Sequence, residues 1–224
     1  PSIIPIRREL MGMIEGHVVE LSLHTYGCRV IQKAIERIDA LGMTVIAREI
    51  HTNIVAFVED QNGNHVIQKF IQFMDPRYAE MVVGEIKGNI IRFSKHPYGC
   101  RVIQRMMERS EGVIKRALSA EMRGRIWELA VNQYGNYVIQ HLLEHGEEEQ
   151  KQMVIQEMKG RCCDFSMKKY SSNVVEKCVH CCTPAQRDEL LDEICGESEE
   201  TLVKMMKDPY ANNEVQTLVE VMDP

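Results

Sequence analysis

A five-residue pattern recurs along this chain at a near-constant interval, and no other feature constrains its fold as strongly. It reads Cys28-Arg29-Val30-Ile31-Gln32, Asn64-His65-Val66-Ile67-Gln68 and Cys100-Arg101-Val102-Ile103-Gln104, and then Asn136-Tyr137-Val138-Ile139-Gln140, Ser172-Asn173-Val174-Val175-Glu176 and Asn212-Asn213-Glu214-Val215-Gln216. The step is 36 residues four times and then 40. Such self-similarity is the mark of a solenoid, in which each unit buries its apolar face on the next. The middle of each unit stays apolar, while the first, second and fifth positions vary within a small polar set.

Other positions share the period. Gly16, Gly88, Gly124, Gly160 and Gly196 lie on one grid, with Thr52 filling its gap, and Gly27, Gly63, Gly99 and Gly135 lie on another, followed by Ser171 and Ala211. Both grids read as helix ends where the chain visits φ > 0. Helices are expected over His17–Leu23, Gly27–Arg37 and Leu41–Ile50, and Asp75-Pro76 and Thr183-Pro184 read as N-caps followed by proline at the first helical position. No period-2 strand pattern is evident. The expectation is an all-α, right-handed α-solenoid of about six three-helix repeats, one domain over residues 1–224. The longer last step places an insertion at Glu197–Glu200, read as a solvated loop. Glu147-Glu148-Glu149 reads as a helix N-terminal turn, where carboxylates are favoured.

The 224 residues are 44% apolar, enough for a packed core. No apolar run reaches the ~20 residues of a membrane helix, and no signal-peptide pattern opens the chain. A cytoplasmic protein is expected, and the opening Pro1-Ser2 suggests a piece of a longer one. Of eight cysteines, Cys28 and Cys100 belong to the repeat. The others cluster as Cys162-Cys163, Cys178, Cys181-Cys182 and Cys195, beside His180, without the second CxxC pair of a structural zinc site. They read as free thiols, and neither a metal nor a cofactor is expected. His24, His51, His96 and His145 look scattered, and no Ser/His/Asp, paired-carboxylate or phosphate-loop constellation appears, so an enzyme acting on a small molecule is not indicated. The single Trp127 reads as core. The net charge of -6 excludes a uniformly basic surface but not a basic stripe.

On a helix, positions i and i+4 share a face. Cys28 therefore projects with Gln32, and Arg29 with Lys33, while Val30 and Ile31 should point into the stack. The position after the Gln or Glu holds Lys33, Lys69, Arg105, His141, Lys177 and Thr217, basic or potentially so in five of six units. The neighbouring slot holds Arg29, His65, Arg101, Tyr137, Asn173 and Asn213, of which the planar ones can stack on bases. A merely solvated face does not require Gln or Glu at one slot in all six units.

The segments HPYGCRVIQR, NQYGNYVIQH and SSNVVEKCV resemble the fifth, sixth and seventh repeats of the Pumilio (Puf) family of RNA-binding proteins. The six units are similar to that family's third to eighth repeats. The resemblance implies a crescent of three-helix repeats reading single-stranded RNA on its concave side, one base per repeat. It also implies regulation of mRNAs through 3′ untranslated regions, with deadenylases or other repressors as partners.

The base-edge chemistry agrees. An ionised carboxylate is acceptor-only, so Glu176 beside Ser172 suits the two donors of guanine. Gln32 with Cys28 and Gln104 with Cys100 can mirror adenine, the small thiol leaving room for a purine. Asn64/Gln68, Asn136/Gln140 and Asn212/Gln216 can answer uracil. The resemblance implies that the C-terminal repeat takes the 5′ base, and the expected element is then 5′-UGUAUA-3′. The last unit departs from the pattern: Glu214 stands at an inward position, and Asn213 replaces an aromatic residue. It also ends at Pro224 without a third helix, so lower stability and affinity are expected, as is self-association through open ends. The competing expectations are a protein-binding α-solenoid scaffold and a Puf-like protein that binds nucleic acid without sequence preference.

Overall fold

The computed structural model of the chain describes the backbone of residues 3–221, and the side chains of these residues other than 3–8, 191, 214, 218 and 221. Glu214, expected as an inward carboxylate, thus falls outside the described side chains, as do Pro1, Ser2 and Pro224. Among the described residues there are helices and turns but no strand. The chain divides into two compact units, Pro1–Leu118 and Ser119–Pro224.

In the first unit, helix Ile3–Ile14 precedes the trio Val18–Leu23, Gly27–Ile35 and Ala40–His51. The next trio is Ile54–Glu59, Gly63–Phe73 and Ala79–Ile86, the last entered through a 3-10 turn, Pro76–Tyr78. Ile90–Ser94 and Gly99–Arg109 follow, with Gly112–Ala120 running to the unit boundary. The second unit holds the trios Ile126–Ala130, Gly135–His145, Glu148–Met158 and Cys162–Ser166, Ser171–Cys181, Pro184–Cys195, then the pair Glu199–Lys207 and Ala211–Val221. Both expected proline starts are present. The Asp75 side chain accepts from the Arg77 N–H, and Thr183 forms a reciprocal capping box with Gln186.

Within each unit the second helices stack on one another. Gly27–Ile35 packs on Gly63–Phe73, which packs on Gly99–Arg109, and Gly135–His145 packs on Ser171–Cys181, which packs on Ala211–Val221. The apolar middle of the motif forms this seam: Val66, Ile67, Val102, Ile103, Val174 and Val175 are all fully buried. Val30 corrects the expectation, for it is 54% exposed. Among the described residues its helix is the first of the series, and none of them forms another second helix against that edge. Trp127 is also not core. It is 45% exposed on a short first helix.

The two glycine grids have different causes. Gly16, Gly88, Gly124 and Gly160 do take positive φ, between 73° and 84°, whereas Gly196, at φ -74°, does not. The second grid lies at helix starts, not ends, and is set by close approach. A Cβ on Gly27, Gly99 or Gly135 would lie 2.6–2.7 Å from the carbonyl oxygen of Leu21, Phe93 or Leu129, six residues back. Where the series changes to serine, the contact becomes a bond: Ser171 Oγ donates to the Phe165 carbonyl at 2.8 Å.

The segment Glu197–Glu200 is not a loop throughout. Ser198 caps a helix whose first turn holds Glu199 and Glu200, and that helix has 9 residues where the other first helices have 5 or 6. The inserted residues thus lengthen a helix, and its first carboxylates face the N-terminal dipole.

A further period holds the trios together. Glu49, Glu85, Glu121, Glu157 and Glu193 repeat at 36 residues. In three trios this third-helix carboxylate grips the start of its own first helix. Glu49 accepts from the N–H groups of Gly16 and Val18 (2.7 and 3.0 Å), Glu157 from Gly124 and Ile126 (2.6 and 3.2 Å), and Glu193 from Gly160 and Cys162 (2.8 and 2.9 Å). Such charge-assisted bonds satisfy donors that every helix start leaves open.

Candidate nucleic-acid interface

The second helix of each repeat carries the variable positions, and in five of the six its start is capped by the residue four before the motif; in the Glu unit that slot holds Lys168. The Asp60, Asn132 and Asp208 side-chain oxygens each accept two backbone N–H bonds at 2.7–3.0 Å, from residues two and three further on. His24 and His96 do the same through Nδ1 at 3.2–3.3 Å. These two histidines are therefore in register, 72 residues apart, and not scattered.

The first motif position is nearly buried at the base of each helix. Cys28, Asn64, Cys100, Asn136 and Ser172 are 1–9% exposed. Burial pushes the Cys100 thiol up from its ordinary range, so that side chain stays neutral. The second position, Arg29, His65, Arg101, Tyr137, Asn173 or Asn213, is exposed in every unit. The fifth position is half-buried at Gln32, Gln68, Gln104, Gln140 and Glu176, and exposed at Gln216.

In the three Asn units the amides are fixed in orientation. Asn64 Nδ2 lies 2.9 Å from the carbonyl oxygens of both Asp60 and Gln61, and Asn136 Nδ2 lies 2.9 and 3.0 Å from those of Asn132 and Gln133. Only an NH2 group satisfies two acceptors there, so the Asn oxygen must face its glutamine. Gln68 Nε2 donates to Asn64 Oδ1, and Gln140 Nε2 to Asn136 Oδ1, each at 2.9 Å. Gln216 repeats the bond to Asn212 at 3.0 Å. Among the described residues, Gln68 Oε1 and Gln140 Oε1 have no protein donor. Each locked glutamine therefore presents one acceptor and one remaining N–H outward. The Cys units lack this lock, and in one of them Gln104 Nε2 is buried without a partner.

The Glu unit forms a small pocket of about 70 Å³, lined by Lys169, Ser172, Asn173, Glu176, Tyr210 and Asn213. It joins four expected site residues with two that the motif did not contain. Tyr210 belongs to a further series, Tyr26, Tyr98, Tyr134, Tyr170 and Tyr210, two residues before five of the six motifs, with Asn62 in the other. That series is visible in the sequence and would have pointed to a second aromatic wall.

The basic strip is largely engaged. Lys33 and Lys69 both bind Glu36, at 2.8 and 2.9 Å, and their hydrogen bonds hold its carboxyl down at about 2. Arg105 pairs with Glu108. Lys177 meets Glu144 at 2.5 Å, which holds that carboxyl low and raises the lysine. His141 is 9% exposed and Thr217 is buried, so neither lies on an open cationic surface.

Buried small or amide groups, half-buried Gln or Glu, and exposed planar side chains recur in register on stacked helices. That arrangement defines a helical-repeat protein built to engage a polymer of flat, hydrogen-bonding units. The Pumilio-family RNA binding repeat profile matches residues 17–51, 53–87, 89–123, 125–159 and 161–195, and the chain belongs to that family, whose members bind RNA and do not catalyse reactions. The sixth unit lies outside those matches. Among curated protein sequences none matches the chain.

Several solved structures share its fold. PUF-8 in complex with PBE-RNA is 36% identical over 96% of this chain and 64% of that one, with a TM-score of 0.90. The Puf3 RNA binding domain bound to a Cox17 RNA 3′ UTR recognition sequence is 32% identical over 97% and 66%, with a TM-score of 0.89. The Puf4 RNA binding domain bound to the HO endonuclease RNA 3′ UTR recognition sequence is 27% identical over 96% and 68%, with a TM-score of 0.87. The chain spans less than two thirds of the first two. No helix among the described residues is long and apolar enough to cross a membrane.

Proposed function

We propose that this chain reads single-stranded RNA base by base, with the element 5′-UGUAUA-3′ running from Asn212/Gln216 back to Cys28/Gln32. The observation that carries the reading is the locked amide pair at 64/68, 136/140 and 212/216. A glutamine whose carbonyl and remaining N–H both face outward matches the adjacent N3–H and carbonyl of uracil. An unlocked glutamine over a neutral thiol leaves space for adenine, and Glu176 offers two acceptors to the N1–H and N2–H2 of guanine. Arg29, His65, Arg101, Tyr137, Asn173 and Asn213 are assigned between successive bases, and Lys33, Lys69, Arg105 and Lys177 along the backbone side.

The 3′ UTR sequences bound by the Puf3 and Puf4 domains support placing the targets in mRNA 3′ untranslated regions. Repression of translation or stability in the cytoplasm, through recruited deadenylases or other repressors, is the role that goes with such targets. Fluorescence polarisation against 5′-UGUAUAUA-3′ and the same RNA with G changed to C, at one salt concentration, tests the reading. A penalty of about fivefold or more, roughly 1 kcal/mol, is expected. Equal affinity for the two RNAs overturns base reading, and no binding by a folded sample turns the assignment toward a protein scaffold.

A further inference from the structure

The last turn of helix Gly135–His145 gathers three metal-ligating side chains that the RNA reading does not bring together for any purpose. His141, Glu144 and His145 each offer one ligand atom, and these atoms all lie within 4.8 Å of one another. The spacing accounts for the cluster, since residues three and four apart on a helix are surface neighbours. The two imidazole rings lie 4.5 Å apart between centroids, tilted by 49°. Glu144 Oε2 is 3.7 Å from His145 Nε2, while the other oxygen of the same carboxylate bonds Lys177.

We propose that His141, Glu144 and His145 form a binding site for a divalent transition-metal ion of the zinc or nickel class. Two imidazole nitrogens and one carboxylate oxygen are the donor set such ions take at about 2.0–2.2 Å, with a fourth position left to water or an outside ligand. A small closure of the three atoms about the ion reaches those distances. Lys177 serves as an outer partner, holding one carboxylate oxygen and turning the other to the metal. The place on the helix adds to the attraction, because its C-terminal end favours cations. His141 is 9% exposed and His145 is exposed, so an ion would be half enclosed, reached from the His145 side.

The free cysteines are the competing ligands, and the test separates them. Ni2+ and, separately, Zn2+ are titrated calorimetrically into the whole chain kept reduced with a phosphine, and into His145→Gln, Glu144→Gln and the double variant Cys181→Ser/Cys195→Ser. Circular dichroism confirms that each is helical. One equivalent of Ni2+ should bind, weakened about tenfold or more by His145→Gln, less by Glu144→Gln, and unchanged by the cysteine pair. With Co2+ the spectrum should lack a thiolate charge-transfer band. Absence of saturable binding, binding indifferent to His145→Gln, or binding lost with the cysteine pair each overturns the site.

Discussion

Glu36 joins two repeats: it bonds Lys33 of its own helix at 2.8 Å and Lys69 of the next at 2.9 Å. The carboxylate therefore neutralises two of the cations that a basic strip would offer to phosphate. Glu36→Gln should release both. RNA affinity should rise at low salt, and the salt dependence should steepen, by up to about 0.7 in log–log slope for each lysine that gains a phosphate contact on a single strand. Binding isotherms at four salt concentrations decide this, and an unchanged slope would show that neither lysine reaches the RNA. The pair also has a pH signature. The folded pKa of about 2 lies below the ordinary 4.5, so the stabilisation is fully present above about 4.5 and is lost as pH falls through about 2. The difference in urea midpoint between the parent chain and Glu36→Gln should accordingly be constant from pH 7 to 5 and shrink below 4.

The third-helix carboxylates should contribute more to folding than their partial exposure suggests. Glu157 accepts from Gly124 and Ile126, donors that helix geometry leaves without an internal partner. Glu157→Ala should cost about 1.5–3 kcal/mol, the range for hydrogen bonds to a charged group. Urea unfolding followed by circular dichroism measures it. A change below about 0.5 kcal/mol would mean that water replaces the carboxylate without loss.

What the sequence disclosed and what it hid follow from which interactions are periodic. The trios, the motif helices and the apolar seam were legible because each repeat must bury the same face in the same way. The series Glu49, Glu85, Glu121, Glu157 and Glu193 is equally periodic, yet a lone Glu on a third helix looks like ordinary solvated surface until its backbone partners are seen. Val30 was misread because it shares the pattern of Val66 and Val102, and pattern does not say where a stack has its edge. The Gly27 grid was misread because positive φ and close approach both select glycine, and only Ser171, which bonds the same carbonyl, separates the two causes. At the candidate site the residue identities were legible. The amide orientations and the pairing of Lys33, Lys69, Arg105 and Lys177 were not, since the slot of Glu36, Glu108 and Glu144 holds Gln72 and His180 in other repeats.

Tyr137 tests the stacking assignment at its only tyrosine. The ring is 48% exposed beside the locked Asn136/Gln140 pair, so its substitution removes base contact without opening the core. Tyr137→Ala should weaken binding of 5′-UGUAUAUA-3′ by about 1–3 kcal/mol. The melting temperature should hardly move. An affinity change within error would take Tyr137 out of the interface.

The pocket at Ser172 and Glu176 gives the sharpest test, because one pair of substitutions should turn one kind of repeat into another. Ser172 and Glu176 sit four apart on Ser171–Cys181, as Asn136 and Gln140 do on Gly135–His145. Ser172→Asn with Glu176→Gln should rebuild the locked amide pair: the new Asn would donate to the carbonyls of Lys168 and Lys169, and the new Gln would donate to that Asn. The carboxylate assigned to the two guanine donors would be gone, and a glutamine oxygen with one N–H would stand in its place, the pattern assigned to uracil. The double variant should therefore prefer U over G at the second base, and a swing of about 1–3 kcal/mol in each direction is the usual worth of one base position. Competition between 5′-UGUAUAUA-3′ and 5′-UUUAUAUA-3′ measures it for both proteins. Glu176→Gln alone should lose the guanine preference without gaining full uracil affinity, because Ser172 cannot hold the amide. A double variant that still prefers G would show that the pocket's other walls, Lys169 and Tyr210 among them, select the base and that the Ser/Glu pair does not.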